Sequence, residues 1–139
     1  MCLNITTKIQ PKPASTQIVY KVIRKLGKYT WDSSAFAYAW KSPRKNKTFE
    51  SNRFGTDLTD TEVETRNIER GFHVFVSYKE AAAYLIVQRT MPYYRLVAFK
   101  AHPKYFVARG TNNGETNGAV YTRLTWHKVY RKHELKKLK

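Results

Sequence analysis

The sequence predicts an α+β domain, a mostly antiparallel β-sheet carrying one principal helix over about residues 77–90. Three observations carry this. Aromatic and β-branched runs recur along the chain, with ten Tyr and seven Phe against six Gly, a composition that suits strands. One segment, SYKEAAAYLIVQRT (77–90), has the alanine content and spacing of a helix. The length, 139 residues, fits a single domain over 1–139 whose core needs no covalent staples. At 42% hydrophobic residues the chain can fill that core, which sets aside disorder.

Residues 1–16 read as an extended arm, because Pro11 and Pro13 bias their neighbours away from helix. QIVYKVIRKL (17–26) is a strand that turns at Gly27. In YTWDSSAFAYAWKSP (29–43), Phe36, Tyr38 and Trp40 alternate with Ala37 and Ala39. That period of two favours a strand, while the alanines favour a helix. RKNKTFESNRF (44–54) is basic and turn-rich, and GTDLTDTEVET (55–65) reads as a polar surface loop. GFHVFV (71–76) is a short apolar strand entered through a glycine. In the helix that follows, Ser77 and Glu80 have capping-box spacing, and Pro92 sets the limit at the far end. YYRLVAFKA (93–101) is a strand, HPKYFVARG (102–110) a turn with a short extended piece, and TNNGETNG (111–118) a loop. AVYTRLTWHKVY (119–130) reads as one long strand, followed by a basic tail over 131–139.

Charge is the strongest indication of function. Twenty-six Lys and Arg oppose ten Asp and Glu, for a net charge of +16. Such an excess is self-repulsive unless a polyanion is near. Nucleic acid is the first partner it points to, an anionic membrane surface the second and an acidic protein the third. The excess is uneven: net +9 over 1–54, −3 over 55–80 and +10 over 81–139. The acidic segment is placed to pack on a basic flank and contain the repulsion. A single cysteine, Cys2, excludes an internal disulfide and a cysteine-rich zinc site. The sequence has no signal-like or membrane-spanning apolar run. The expectation is therefore a soluble cytoplasmic protein without membrane insertion.

Two basic clusters with interleaved aromatics are the candidate binding residues. One is Lys41, Arg44, Lys45, Lys47 and Arg53, among Trp40, Phe49 and Phe54. The other lies on the last strand and tail. Alternation puts Val120, Thr122, Leu124 and Trp126 on a core face and Tyr121, Arg123, Thr125 and His127 on an open one, continuing into Arg131 and Lys132. Cations neutralise phosphates and aromatics stack on unpaired bases, so the pattern favours RNA or single-stranded DNA over duplex. No zinc-finger, helix-turn-helix, RNP, Walker or G-x-G-x-x-G pattern occurs, nor HExxH or paired carboxylates. No cofactor, metal or catalytic residue is assigned. His73, between Phe72 and Val74, reads as a structural histidine.

The MCL start, VYKVIRK (19–25), IERGFHVFVSYKEA (68–81) and YRLVAFKAHPKYFVARG (94–110) together resemble a family of small proteins of tailed phages and prophages. In that family an MCL start leads to a YKV strand. A G-[FL]-H-x-F strand then enters an alanine-containing helix, and a further strand ends in a proline turn. The resemblance covers most of the chain and implies a viral accessory protein rather than a reaction. The chain departs from the pattern in its insert at 44–66 and its basic tail. GFHVFVSYKEAAAYL is also similar to the strand–helix step of ADP-ribosyltransferase-like domains. That similarity implies Tyr20 and Arg24 on a first strand and Glu115 in the glutamate position, although the NAD-binding and glutamate motifs are not recognisable. The leading expectation is a phage-encoded accessory protein that binds nucleic acid or a host ribonucleoprotein such as a defence complex. The alternatives are an ADP-ribosyltransferase-like enzyme and a basic virion component, and an acidic host protein is a further partner the charge allows.

Overall fold

The computed structural model describes residues 3–7, 10–32, 38–87, 93–112 and 114–131 of the chain. It shows an antiparallel sheet with one main helix, as the sequence predicts. The strands are β1 (Leu3–Ile5), β2 (Gln17–Lys25), β3 (Thr30–Asp32), β4 (Ala39–Lys41), β5 (Thr48–Glu50), β6 (Asn67–Ile68), β7 (Phe72–Phe75), β8 (Tyr94–Ala101), β9 (Phe106–Asn112), β10 (Thr116–Tyr121) and β11 (Arg123–Val129). They run in the order β5-β11-β8-β2-β7-β10-β9-β1-β6, with β3 and β4 attached beside β2. Among the described residues no helix is long and apolar enough to cross a membrane.

The sheet curls around Trp40, which is fully buried. Its ring centroid lies 5.0 Å from Phe49 of β5 and 5.0 Å from Phe72 of β7. Those two rings are therefore at most about 10 Å apart, whereas four strand spacings in a flat sheet would span roughly 19 Å. Phe99 and Trp126 close on the same indole at 5.1 and 6.3 Å. The β3–β4 hairpin delivers Trp40 and Trp31 into this interior, and Tyr38 Oη donates to the Glu50 carbonyl (2.8 Å).

Helix α2 (Tyr78–Val87) covers the outer face of β2 and β8. Ser77 caps it, accepting from the Glu80 N–H at 3.3 Å. Tyr78, Ala81, Ala82 and Leu85, at helical spacing, pack with Leu96, Tyr20 and Val22. The carboxylate of Glu80 does not complete a capping box. It reaches Asn117, accepting from its backbone N–H (2.7 Å) and its amide (3.1 Å). The expected helix over 77–90 thus occupies Tyr78–Val87, and 88–90 lie outside the described residues.

Five local readings differ from the structure. Residues 3–5 of the expected arm form β1, paired with β6 and β9, and Leu3 and Ile5 are buried. Gly110 makes this possible, since a Cβ there would lie 2.0 Å from the Asn4 carbonyl oxygen. The basic stretch 44–54 contains β5. The expected loop at 55–65 contains α1 (Asp60–Thr65), set by a full capping box between Thr59 and Glu62. The loop at 111–118 shrinks to a hairpin turn, because β9 runs to Asn112 and β10 starts at Thr116. The last strand breaks at Thr122, whose backbone turns to Tyr105 and Ser51. β10 pairs with β7 and β9, and β11 with β8 and β5.

Candidate nucleic-acid interface

Three backbone hydrogen bonds line up cations from separate segments. Ser42 N–H donates to the Tyr29 carbonyl (3.3 Å), which sets Lys41 and Ser42 beside the β2–β3 turn carrying Lys28 and Tyr29. Asn46 N–H donates to Trp126 (2.8 Å), and Trp126 N–H donates to Lys47 (2.8 Å). The 42–47 loop is thereby sewn to β11 next to His127. Within it, Lys47 N–H donates to Arg44 (3.0 Å), closing a turn whose third residue, Asn46, has φ of 71°. Asparagine tolerates that left-handed position. Lys47 Nζ braces the loop through the carbonyls of Lys41 and Ser42. Thr125 of β11 lies opposite Lys100 of β8, which extends the line.

The result is a basic ridge running from Lys28 through Lys41, Arg44 and Lys45 to His127 and Lys100. Lys28, Lys41, Arg44, Lys45 and Lys100 are exposed. None of these five has an ion-pair partner among the described residues. His127 is the extra residue of a β-bulge, since Trp126 pairs with Phe99 and Lys128 with Ala98. Burial, and then the charges of Lys100, Lys45 and Lys128, hold its imidazole below the ordinary 6.5. An anion laid across these lysines would reverse the electrostatic part of that shift.

The predicted residues divide. Lys41, Arg44, Lys45 and His127 come together on the ridge, and Lys47 supports it from beneath. Arg131 is exposed just past the end of β11, and Lys132 lies outside the described residues. Arg53 is not available to a ligand. Its guanidinium is buried against Glu62 (2.5 and 2.7 Å) and donates to the Asp57 carbonyl (2.8 Å). Burial pushes the Glu62 carboxyl up, but the Arg53 and Thr59 hydrogen bonds more than offset this and hold it below its ordinary value. Here the acidic segment does neutralise a basic flank. Tyr121, expected on an open face, is 1% exposed and packs on Phe106 (5.6 Å). At β10 both sheet faces are covered, so Val120 enters one hydrophobic cluster and Tyr121 another. Arg123 is engaged by Glu50 and by Tyr105 Oη (2.7 Å), its guanidinium 4.6 Å from the Tyr105 ring centroid. Trp40 and Phe49 are core rings, and Phe54, although exposed, sits beside the acidic segment.

Lys28, Tyr29 and Lys100 escaped the sequence reading. The signal was present: a turn at Gly27 exposes its neighbours, and Lys100 is the one charged residue in an apolar half-strand.

Among the described residues, groups with reactive potential are dispersed. Arg24 is held by Asp32 (2.8 and 2.7 Å). His73 contacts the carbonyls of Ile68 (2.8 Å) and Gly71 (3.2 Å), and burial pushes its pKa down to about 4. Glu115 lies in the exposed β9–β10 turn, five residues from Val120, the partner of His73. That is roughly 16 Å along the strand, so His73 and Glu115 do not share a cleft. Lys21 Nζ donates to the His73 carbonyl (2.5 Å) where β2 and β7 part, and burial lowers its pKa to about 8. No family model, curated protein or solved structure matches this chain.

Proposed function

We propose that this protein binds nucleic acid along the basic ridge, with RNA or single-stranded DNA preferred over duplex, and that it acts as an accessory protein of a phage-like element in the host cytoplasm. One observation carries the reading: six basic groups from four segments stand in line, and no acidic residue occurs between Asp32 and Glu50, the stretch that supplies Lys41, Arg44 and Lys45. Phosphates answer this arrangement by releasing counterions, so binding should be steeply salt-dependent. The target is free nucleic acid or a nucleoprotein such as a host defence complex. Capture from infected cells with and without nuclease separates the two.

Titration of a mixed-sequence oligonucleotide over a range of salt tests the ridge. Replacing Lys45 and Lys100 together with Ala should flatten the dependence of log affinity on log salt by about 1.4 for a single strand. No binding at low salt would remove nucleic acid as the direct partner.

A further inference from the structure

At one end of the ridge three apolar side chains stand in solvent: Leu26 (52% exposed), Tyr29 (62%) and Tyr93 (60%). Single exposed apolar residues carry no message, but a cluster does. Backbone hydrogen bonding makes this one a cluster. Lys25 N–H donates to the Tyr93 carbonyl (2.7 Å), and Lys25 pairs with Trp31, two residues from Tyr29. From strand spacing and rise, the Tyr29 and Tyr93 backbones are roughly 12 Å apart. Lys28 Nζ lies 5.3 Å from the Tyr29 ring centroid, and Lys25 flanks the same turn. Neither tyrosine ring makes an aromatic pair among the described residues.

Resting on the nucleic-acid reading, we infer that Tyr29 and Tyr93 are a base-stacking platform that selects unpaired nucleotides. A ligand matching this end must combine anionic groups for Lys25 and Lys28 with flat apolar faces for two tyrosines. Single-stranded RNA or DNA has both. Duplex DNA shows its phosphates but keeps its bases stacked on one another, so it satisfies the ridge and not the platform. Stacking is tolerant of sequence, because every base has a π-face. The platform therefore confers strand-state selectivity rather than sequence reading.

The test uses a 12-nucleotide oligothymidylate, the same backbone made abasic, and a duplex, each titrated against the full chain at two salt concentrations. In the double variant Tyr29→Ala, Tyr93→Ala, affinity for the oligothymidylate should fall at least about fivefold. Its salt slope should stay unchanged, because no phosphate contact is lost. Duplex affinity should not move, and the abasic strand should bind wild type and variant alike. The Tyr29→Phe, Tyr93→Phe variant should behave as wild type, since the ring face is what counts. Equal single-strand binding by the Ala variant and wild type would overturn the platform while leaving the ridge intact. Loss of binding to phosphatidylserine vesicles without loss of oligonucleotide binding would reassign the cluster to a lipid surface and overturn it too. Failure of wild type to bind any of the three oligonucleotides is the separate signature that the underlying reading is wrong.

Discussion

Arg53 tests whether an arginine in a basic cluster serves the ligand or the fold. Its side chain is 6% exposed and that of Glu62 12%, and the head group makes three hydrogen bonds to Glu62 and Asp57. Arg53→Ala leaves the Glu62 carboxylate buried without its counter-charge, a loss of about 3–5 kcal/mol for a buried pair. Glu62 keeps its hydrogen bond from Thr59 N–H (3.0 Å), so the lower end, about 3 kcal/mol, is expected. With a urea slope of roughly 2 kcal/mol per molar, the midpoint should drop by about 1.5 M. Arg53→Lys should recover only part of this, because an ammonium keeps the charge but not the two-pronged geometry. Arg53→Met with Glu62→Leu should recover more, since the pair is then replaced rather than broken. Urea denaturation followed by far-UV circular dichroism reads the midpoint, and oligonucleotide titration below the transition reads the salt slope. An unchanged midpoint with a flatter salt slope for Arg53→Ala would refute the structural assignment and return Arg53 to the binding surface.

Three further outcomes are expected. Ser77→Ala should cost about 1 kcal/mol through loss of the α2 cap, read as a shifted denaturation midpoint; an unchanged midpoint would place the helix start elsewhere. His73, with a native pKa of about 4 against 6.5 when unfolded, leaves the unfolded chain binding the extra proton between those values. Stability should therefore fall as pH drops from about 6.5 towards 4, by up to roughly 3 kcal/mol, and His73→Gln should flatten denaturation midpoints measured across that window. His127 has its pKa lowered by burial and by Lys100, Lys45 and Lys128, and a bound polyanion favours its protonated form. Oligonucleotide affinity should rise as pH falls below 6.5, and His127→Ala should lose that rise.

Elements whose pattern has a single explanation were legible in the sequence. β2, β7, β8 and α2 fall where periodicity places them, because each has one buried stripe or is buried throughout. The differences have two physical sources. Double coverage of the sheet defeats alternation at Val120 and Tyr121, where both parities are buried. A helix with almost no core-forming residues leaves no apolar stripe in the sequence: α1 carries only Val63, and what sets it is the complete capping box of Thr59 and Glu62, at the same spacing as Ser77 and Glu80. For the site, composition identified the 41–47 loop. Nothing local to the sequence shows that a turn at 28–29 and a strand residue at 100 flank that loop, because it is the pairing of β3 with β4 and of β8 with β11 that brings them there.

The excess charge is sharpened by how the carboxylates are used. Asp32 holds Arg24, Glu50 holds Arg123 and Glu62 holds Arg53. Glu80 accepts from the backbone and side-chain amide of Asn117. Each of these four groups is engaged by a neighbour that fixes a hairpin, a strand edge or a loop. The arginines they occupy are the ones whose rigid forks suit fixed geometry, while the ridge is mostly lysine, whose flexible amines follow a backbone of variable path. This division separates architecture from binding within one basic chain. It also explains why two of the arginines chosen from the sequence, Arg53 and Arg123, serve the fold. A carboxylate introduced at Asn46 would sit between Arg44, Lys45 and Lys47 without disturbing any of those internal pairs, which makes the ridge separable from the fold that presents it.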